Sequence, residues 1–172
     1  MTANEQAHPR ALGSLRSADG MGIVRIEHRF GTTVDDLWSA LTDPERLARW
    51  LGEFDGDLRL GGTYQSRFFS SGAAATGRVE ACEAPRHLRV RTKGEHAANE
   101  QTLEVTLTAD GAGTVLVVEQ RGLRLDWLAA FAAGLQIHVE DLAAHIDGGE
   151  RCDSDARMEE LMPAYAGVAV DG

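Results

Sequence analysis

The sequence of 172 residues is poor in cysteine, proline and aromatic side chains and has no long apolar run. Its two cysteines, Cys82 and Cys152, are too few for a disulfide framework, so both are expected to be thiols in a reducing, cytoplasmic compartment. The start of the chain lacks the apolar segment of a signal peptide. No apolar run approaches the roughly 20 residues that span a bilayer. These absences predict an intracellular protein without membrane insertion.

The chain also has few basic residues, with 17 Lys and Arg against 27 Asp and Glu and a formal net charge of -10. Such a surface is repelled at long range by nucleic-acid phosphates and by anionic membranes, so neither is an expected partner. The composition is otherwise that of a globular domain, with 43% hydrophobic and 26% charged residues. A chain of this length buries enough surface for one domain with a core and an enclosed cavity.

The first half of the chain changes from strand to helix periodicity. Residues Ile23–Phe30 alternate between apolar and polar and therefore predict a strand, with His28 on the apolar side. This histidine fits either a satisfied core position or a group that faces a ligand. Thr33 is placed to cap a helix with an apolar stripe over Val34–Leu41, and Pro44 to begin a second, short helix ending near Gly52.

The second half predicts an antiparallel sheet followed by a long helix. Between Asp57 and Gly122 the chain alternates in short segments separated by glycine and proline turns, which is typical of one strongly curved sheet. A helix is predicted from Asp126 to about Ile146, and its length of roughly 30 Å would cross the whole sheet.

These elements occur in the order of a helix-grip fold, an α+β class in which a curved antiparallel sheet wraps a long C-terminal helix. The segments VDDLWSALTDPERLARWLG, GDLRLGGTYQSRF, GRVEACEAPRHLRV and GTVLVVEQRGL resemble the START-like SRPBCC superfamily. Within it they are similar to the branch named after the activator of heat-shock-protein-90 ATPase, which is grouped with polyketide cyclases. The resemblance covers about Ile23–Gly148. It departs where that branch usually has a Gly-Trp pair in the last helix, because Gly134 is here followed by Leu135.

The resemblance and the composition divide the chain into three parts. Residues 1–10 are predicted to be a flexible tail and residues 11–149 the START-like domain. Residues 150–172 are predicted to be a C-terminal extension, with a short helix over Ala156–Met162 before a tail that contains proline.

The resemblance implies a hydrophobic cavity between the sheet and the C-terminal helix. Physical reasoning leads to the same expectation, since a straight helix cannot contact a curved sheet everywhere and the space must be filled by large side chains or by a ligand. His28, Tyr64 and Gln136 are the polar groups predicted to orient such a ligand. The alternative for each apolar residue is that it simply fills the core. The predicted lining is Trp38, Trp50, Phe54, Tyr64, Phe68, Val90, Val117, Phe131 and Leu135.

No motif of high catalytic or metal-binding specificity is present in the sequence. His138, Asp141 and His145 follow one flank of the last helix, but the two histidines are about 10 Å apart along its axis, too far for one ion. The loop Ser70–Gly72 lacks the strand-turn-helix setting of a serine nucleophile. No metal or other cofactor is therefore expected.

The predicted function is the binding of an apolar or aromatic small molecule, and the residues favour a binding protein over an enzyme. One alternative is a polyketide cyclase or dehydratase, for which His28 with Tyr64, or His28 with Glu119, would form the acid-base pair. A third reading, suggested by the family name, is a co-regulator of a chaperone ATPase that acts by protein interaction.

An apolar residue on the outer side of the last helix predicts a covering partner. Ile137 lies opposite the predicted core stripe, on a face that would otherwise meet water. We expect either that Leu161, Met162 and Tyr165 of the extension fold back onto it, or that a second subunit covers it in a homodimer.

Overall fold

One curved sheet of nine strands dominates the computed structural model, which describes residues 12–95, 97 and 99–172. The predicted tail, residues 1–10, lies outside the described residues. The strands are β1 (Ser14–Ala18), β2 (Met21–Phe30), β3 (Gly52–Gly56), β4 (Thr63–Phe68), β5 (Ala74–Glu83), β6 (His87–Gly94), β7 (Gln101–Asp110), β8 (Gly113–Leu123) and β9 (Val170–Asp171).

The strand order is β3-β4-β5-β6-β7-β8-β2-β1-β9, and every neighbouring pair is antiparallel except β1 with β9. The helices are α1 (Val34–Thr42), α2 (Pro44–Trp50), α3 (Leu128–Ile146) and α4 (Ser154–Ala166). The helix-grip α+β class is therefore confirmed. The sequence analysis missed β3 and β9, because each is short and β3 has Phe54 as its one large apolar side chain.

Side-chain caps hold both predicted helix starts, the predicted cap Thr33 for α1 and Asp43 for α2. The Thr33 hydroxyl accepts a hydrogen bond from the Asp36 backbone N–H at 3.2 Å, and the Asp43 carboxylate accepts one from Glu45 at 3.0 Å. Each cap satisfies a backbone donor that has no partner within its own helix. The long helix α3 begins at Leu128 rather than Asp126, because residues Leu125–Trp127 form a 3-10 turn.

Strand alternation decides which side chains face the helices. In β8, Leu116 and Val118 are buried on the inner face, while Val117 and Glu119 lie on the outer face. Val117 pairs with Glu27 and Thr106, which are both exposed. The prediction that Val117 lines the cavity is therefore wrong, because its position in the alternation points it away from the helices.

The C-terminal extension covers the outer side of α3 within the same chain. Leu161 and Tyr165 of α4 are 2% and 1% exposed, and Ile137 beneath them is 1% exposed. The predicted fold-back is thus confirmed for these two residues and is wrong for Met162, which is 37% exposed. The helix also continues past Pro163, where a tail was expected, because the last turn is held by the burial of Tyr165.

Polar contacts join α4 to α3 and to Gly13, the residue before β1. The Tyr165 hydroxyl donates to the Gln136 side-chain oxygen and accepts the Gly13 backbone N–H at 2.8 Å. Arg157 binds both carboxylate oxygens of Glu140 at 2.8 Å. The prediction that Gln136 faces the cavity is wrong, since its amide is engaged at the α3–α4 contact by Tyr165 and, at 3.0 Å, by Glu140.

Replacing Leu161 by Ala should lower the free energy of unfolding by about 2–5 kcal/mol, because the substitution empties a fully buried site. Met162→Ala is the matched control on the next residue, and its effect should stay within about 0.5 kcal/mol because that side chain is exposed. Urea unfolding followed by circular dichroism measures both. Equal effects for the two variants would show that α4 does not pack on α3 in this way.

Candidate functional site

One face of α3 looks across a space toward the first strands of the sheet. Phe131, Gly134, Leu135 and His138 are spaced three and four residues apart, so they share one side of the helix. Opposite them, β3 and β4 present aromatic side chains to the inner face. We call this space the inner groove. Its aromatic wall consists of Phe54, Tyr64 and Phe68.

The aromatic wall is continuous and only partly covered. The Phe54 ring lies 5.6 Å from that of Tyr64 and 6.2 Å from that of Phe68, as centroid distances. Phe54, Phe68 and Phe131 are half-buried, whereas Tyr64 is 7% exposed. Aromatic pairs at such distances attract one another beyond the burial of their surface. The inner groove therefore has a preformed aromatic side that other groups can contact.

Tyr64 is the most enclosed ring of this wall. It lies over Gly77 of the neighbouring strand, where a Cβ atom would come within 2.6 Å of the Tyr64 Cε1 atom. Burial raises the pKa of the Tyr64 hydroxyl to about 12, so the phenol stays protonated at neutral pH. Tyr64 therefore adds a neutral hydroxyl to an otherwise apolar wall.

His138 and Ser70 form a polar pair beside the aromatic wall. The imidazole stacks on Phe68, with ring centroids 5.3 Å apart and an interplanar angle of 28°. Its Nε2 atom lies 3.0 Å from the Ser70 hydroxyl oxygen, which belongs to the loop between β4 and β5. Burial lowers the pKa of His138 to about 4. The ring is therefore uncharged at neutral pH, with one nitrogen donating and the other accepting hydrogen bonds.

The surface of α3 next to His138, at Gly134, is not covered by other parts of the protein. A Cβ atom added at Gly134 would meet no heavy atom within 4 Å. This glycine lies four residues before His138 and three after Phe131, on the face that lines the inner groove. The surroundings of α3 thus change from dense packing at Leu135, which is 8% exposed, to open space at Gly134, one residue earlier.

Two surface cavities lie outside the inner groove. The larger, of about 750 Å³, lies between the start of α1, the turn from β5 to β6, and β7. The smaller, of about 280 Å³, lies along β3, β4 and β5 and touches Tyr64. Neither cavity is lined by a residue of α3, so neither is the enclosed cavity that the sequence analysis expected between the sheet and this helix.

Trp50, Trp38 and Val90, which were also predicted to line the cavity, lie in the hydrophobic core or pack against it. Trp50 is 4% exposed and its indole N–H donates to the Ala40 carbonyl at 3.0 Å. Trp38 is half-buried against the main core, and Val90 packs with Tyr64 in a smaller cluster. For Trp50, the alternative of a core position is the better description, because its one polar atom is already bonded within the helices.

Neither acid-base pair considered for a cyclase or dehydratase forms. His28 lies on the inner face beside Phe30, whose ring centroid is 4.7 Å away, and Glu119 lies on the outer face, bonded to Arg16 at 3.2 Å. Four strands separate β4, which bears Tyr64, from β2, which bears His28. Both pairings are therefore wrong, because strand order separates His28 from Tyr64 and strand alternation puts His28 and Glu119 on opposite faces of the sheet.

The three polar residues on the flank of α3 each have a separate partner. His138 contacts Ser70, Asp141 accepts the Cys152 backbone N–H at 2.8 Å, and His145 accepts from Arg46 at 3.2 Å. Within residues 12–95, 97 and 99–172, no group of three or more His, Cys, Asp or Glu side chains is placed to hold a metal ion. No helix in the same ranges is both long and apolar enough to cross a bilayer.

Comparison with known proteins identifies the family. Residues 31–147 match the family described as activator of Hsp90 ATPase homolog 1-like protein. The chain belongs to this family. No curated protein matches the sequence. The match ends one residue after α3, so α4 and β9 lie beyond the part that the family describes.

Solved structures of similar proteins share the fold. The crystal structure of CalU16 from Micromonospora echinospora is 28% identical, with a TM-score of 0.74 over 91% of this chain and 94% of that chain. DynU16, a protein in the dynemicin biosynthetic locus, is 27% identical, with a TM-score of 0.70 over 79% of this chain and 51% of that chain. Protein CV1439 from Chromobacterium violaceum is 23% identical, with a TM-score of 0.64 over 73% and 96%.

Sequence reasoning missed the pairing of Ser70 with His138. The two residues are 68 positions apart, and each is unremarkable in its own segment. The helical spacing of His138 with Phe131 and Leu135 did contain a signal, because it places the histidine on the same face as predicted lining residues. The position of Ser70 had no such signal, since a loop residue has no periodicity to orient it.

His138 should remain neutral from pH 8 to pH 5 and titrate near pH 4, because burial disfavours the imidazolium ion. The unfolded chain takes up this proton near pH 6.5, so the free energy of unfolding should fall by about 2 kcal/mol between pH 7 and pH 5 on account of His138. The NMR shift of its Cε1–H measures the titration, and urea unfolding measures the stability.

His138→Phe provides the control, since it keeps the ring stack and removes the titrating group. This variant should lose less stability than the unchanged protein as the pH falls from 7 to 5. A His138 signal that titrates near pH 6.5 would contradict the burial of the ring.

Proposed function

We propose that the inner groove binds an aromatic or other hydrophobic small molecule. The observation that carries the proposal is the open space at Gly134, one helical turn before His138, whose ring stacks on the half-buried Phe68. Binding sites for small molecules are concave, mostly apolar and furnished with a few placed polar groups. The inner groove has an aromatic wall of this apolar kind, with Tyr64, Ser70 and His138 as its polar groups.

The family relationship supports the same proposal. The chain belongs to a family with a ligand-binding fold, and DynU16 is a protein of a biosynthetic locus. A fold alone does not determine function, so this support is secondary to the geometry of the groove. Together they favour a cyclic or aromatic biosynthetic compound as the ligand class.

The two other roles considered from the sequence have less support. A cyclase or dehydratase needs a titratable pair that converges on a substrate, and the pairs of His28 with Tyr64 and His28 with Glu119 do not form. Co-regulation of a chaperone ATPase has the family description as its one support. Binding of a small molecule is the role that the described side chains favour.

Gly134→Leu should fill the inner groove and weaken binding of the uncharged fluorescent probe N-phenyl-1-naphthylamine by tenfold or more. Gly134→Ala is the matched control, because its methyl group meets nothing within 4 Å. It should bind the probe within threefold of the unchanged protein and gain up to about 1 kcal/mol of helix stability. The rise of probe fluorescence on titration gives the dissociation constants.

The melting temperature of each variant shows whether the fold is retained. Equal probe affinity for Gly134→Leu and the unchanged protein, with both folded, would show that the inner groove is not the binding site.

A further inference from the structure

We propose that Ser70 and His138 recognise an uncharged oxygen of the ligand, a phenolic hydroxyl or a ketone, and that residues 151–154 of the C-terminal extension hold Ser70 in position for this. The inference rests on the proposed function of the inner groove and specifies the chemistry of its ligand. It also gives the extension a role in binding, although the extension lies outside the family match of residues 31–147.

The positions of Ser70 and His138 would allow one hydrogen bond to distinguish ligands of similar shape. The Ser70 hydroxyl and the His138 Nε2 atom are 3.0 Å apart, and the Phe68 ring lies against the imidazole. A hydroxyl has one donor and two acceptor positions, so Ser70 can keep its bond to His138 and still contact a ligand oxygen. A site built to bond an oxygen disfavours the analogue that lacks it, because one hydrogen-bonding position of the hydroxyl is then removed from water and left unused.

The charges around the pair favour an uncharged ligand group over a carboxylate. The imidazole of His138 is neutral, since its burial disfavours the cation. The two arginines of this region are directed elsewhere, with Arg67 donating to the Gly72 carbonyl at 2.8 Å and Arg151 lying over the Phe69 ring at 5.0 Å. A carboxylate in the groove would lose hydration without gaining a cation as a partner.

The extension contacts two consecutive residues of the loop between β4 and β5, Phe69 and Ser70. The Ser154 hydroxyl donates to the Ser70 carbonyl at 3.1 Å, and the Arg151 guanidinium lies over the ring of Phe69. Between these contacts, the Cys152 backbone N–H donates to Asp141 at 2.8 Å. Asp141 is one helical turn after His138, so residues 151–154 connect both members of the pair.

Ser70 and His138, the recognition pair, are tested with 2-naphthol and 2-methylnaphthalene. The two probes have nearly the same shape and differ by a hydroxyl in place of a methyl group. Chemical-shift titrations of the ¹⁵N-labelled protein give both dissociation constants. The unchanged protein should bind 2-naphthol about tenfold more tightly, which is the effect of one hydrogen bond. Ionised 2-naphthoate should bind more weakly than 2-naphthol.

Ser70→Ala and His138→Phe should each bring the two affinities within twofold of one another, because the hydrogen bond that distinguishes the two probes is lost. Ser71→Ala is the matched control in the same loop, because the Ser71 hydroxyl accepts from the Ala73 backbone N–H instead of contacting His138. It should keep the tenfold preference.

The outcomes separate this inference from the proposed function. If both probes bind in the inner groove with equal affinity, or if 2-naphthoate binds best, the recognition pair is overturned and the proposed function stands. If neither probe binds, the proposed function fails and the inference fails with it.

The positioning role of the extension is tested with Ser154→Ala and Ser154→Thr. Ser154→Ala should reduce the affinity for 2-naphthol about threefold or more without changing that for 2-methylnaphthalene, and Ser154→Thr should restore the preference because it keeps the hydroxyl. A structural role alone would change both affinities together. Unchanged preference in Ser154→Ala would overturn the role of the extension.

Discussion

The packing of α3 along β2 is the constraint on which the inner groove depends. Leu128, Ala132 and Val139 bury one side of the helix in the main core, and α4 covers a second side at Ile137. With two sides fixed, the helix cannot rotate or approach the first strands to fill the remaining space. The side with Phe131 and His138 therefore faces β3 and β4, where His138 contacts Phe68 and Ser70 while the surface at Gly134 stays uncovered.

Elements with strong periodicity could be predicted from the sequence, and elements without it could not. Local patterns predict the helix cap at Thr33, the helix start at Pro44, the strand from Ile23 to Phe30 and the long helix. The strand β9 has two residues and forms by pairing with β1, so its signal lies in a partner that is distant in sequence. Gln136 was misplaced for the same reason, because Tyr165, 29 residues later, decides which face it occupies.

The candidate site shows the same division between local and distant information. The aromatic members Phe54, Phe68 and Phe131 could be proposed because large apolar side chains at inward positions have few other places to lie. The pairs of His28 with Tyr64 or Glu119 failed because residue type says nothing about strand order or about the face of the sheet. The pair of Ser70 with His138 depends on where a loop crosses a helix, which no periodicity reports.

The extension connects the stability of α3 with the geometry of the groove through different residues. Leu161 and Tyr165 supply the apolar cover, whereas Arg151 and Ser154 contact the loop beside His138. The cover involves nearly complete burial and dominates the energetics, while the loop contacts are single, partly exposed interactions of about 1 kcal/mol each. The two sets meet at the start of α4, where Asp153 caps the helix by accepting the Ala156 backbone N–H at 3.2 Å.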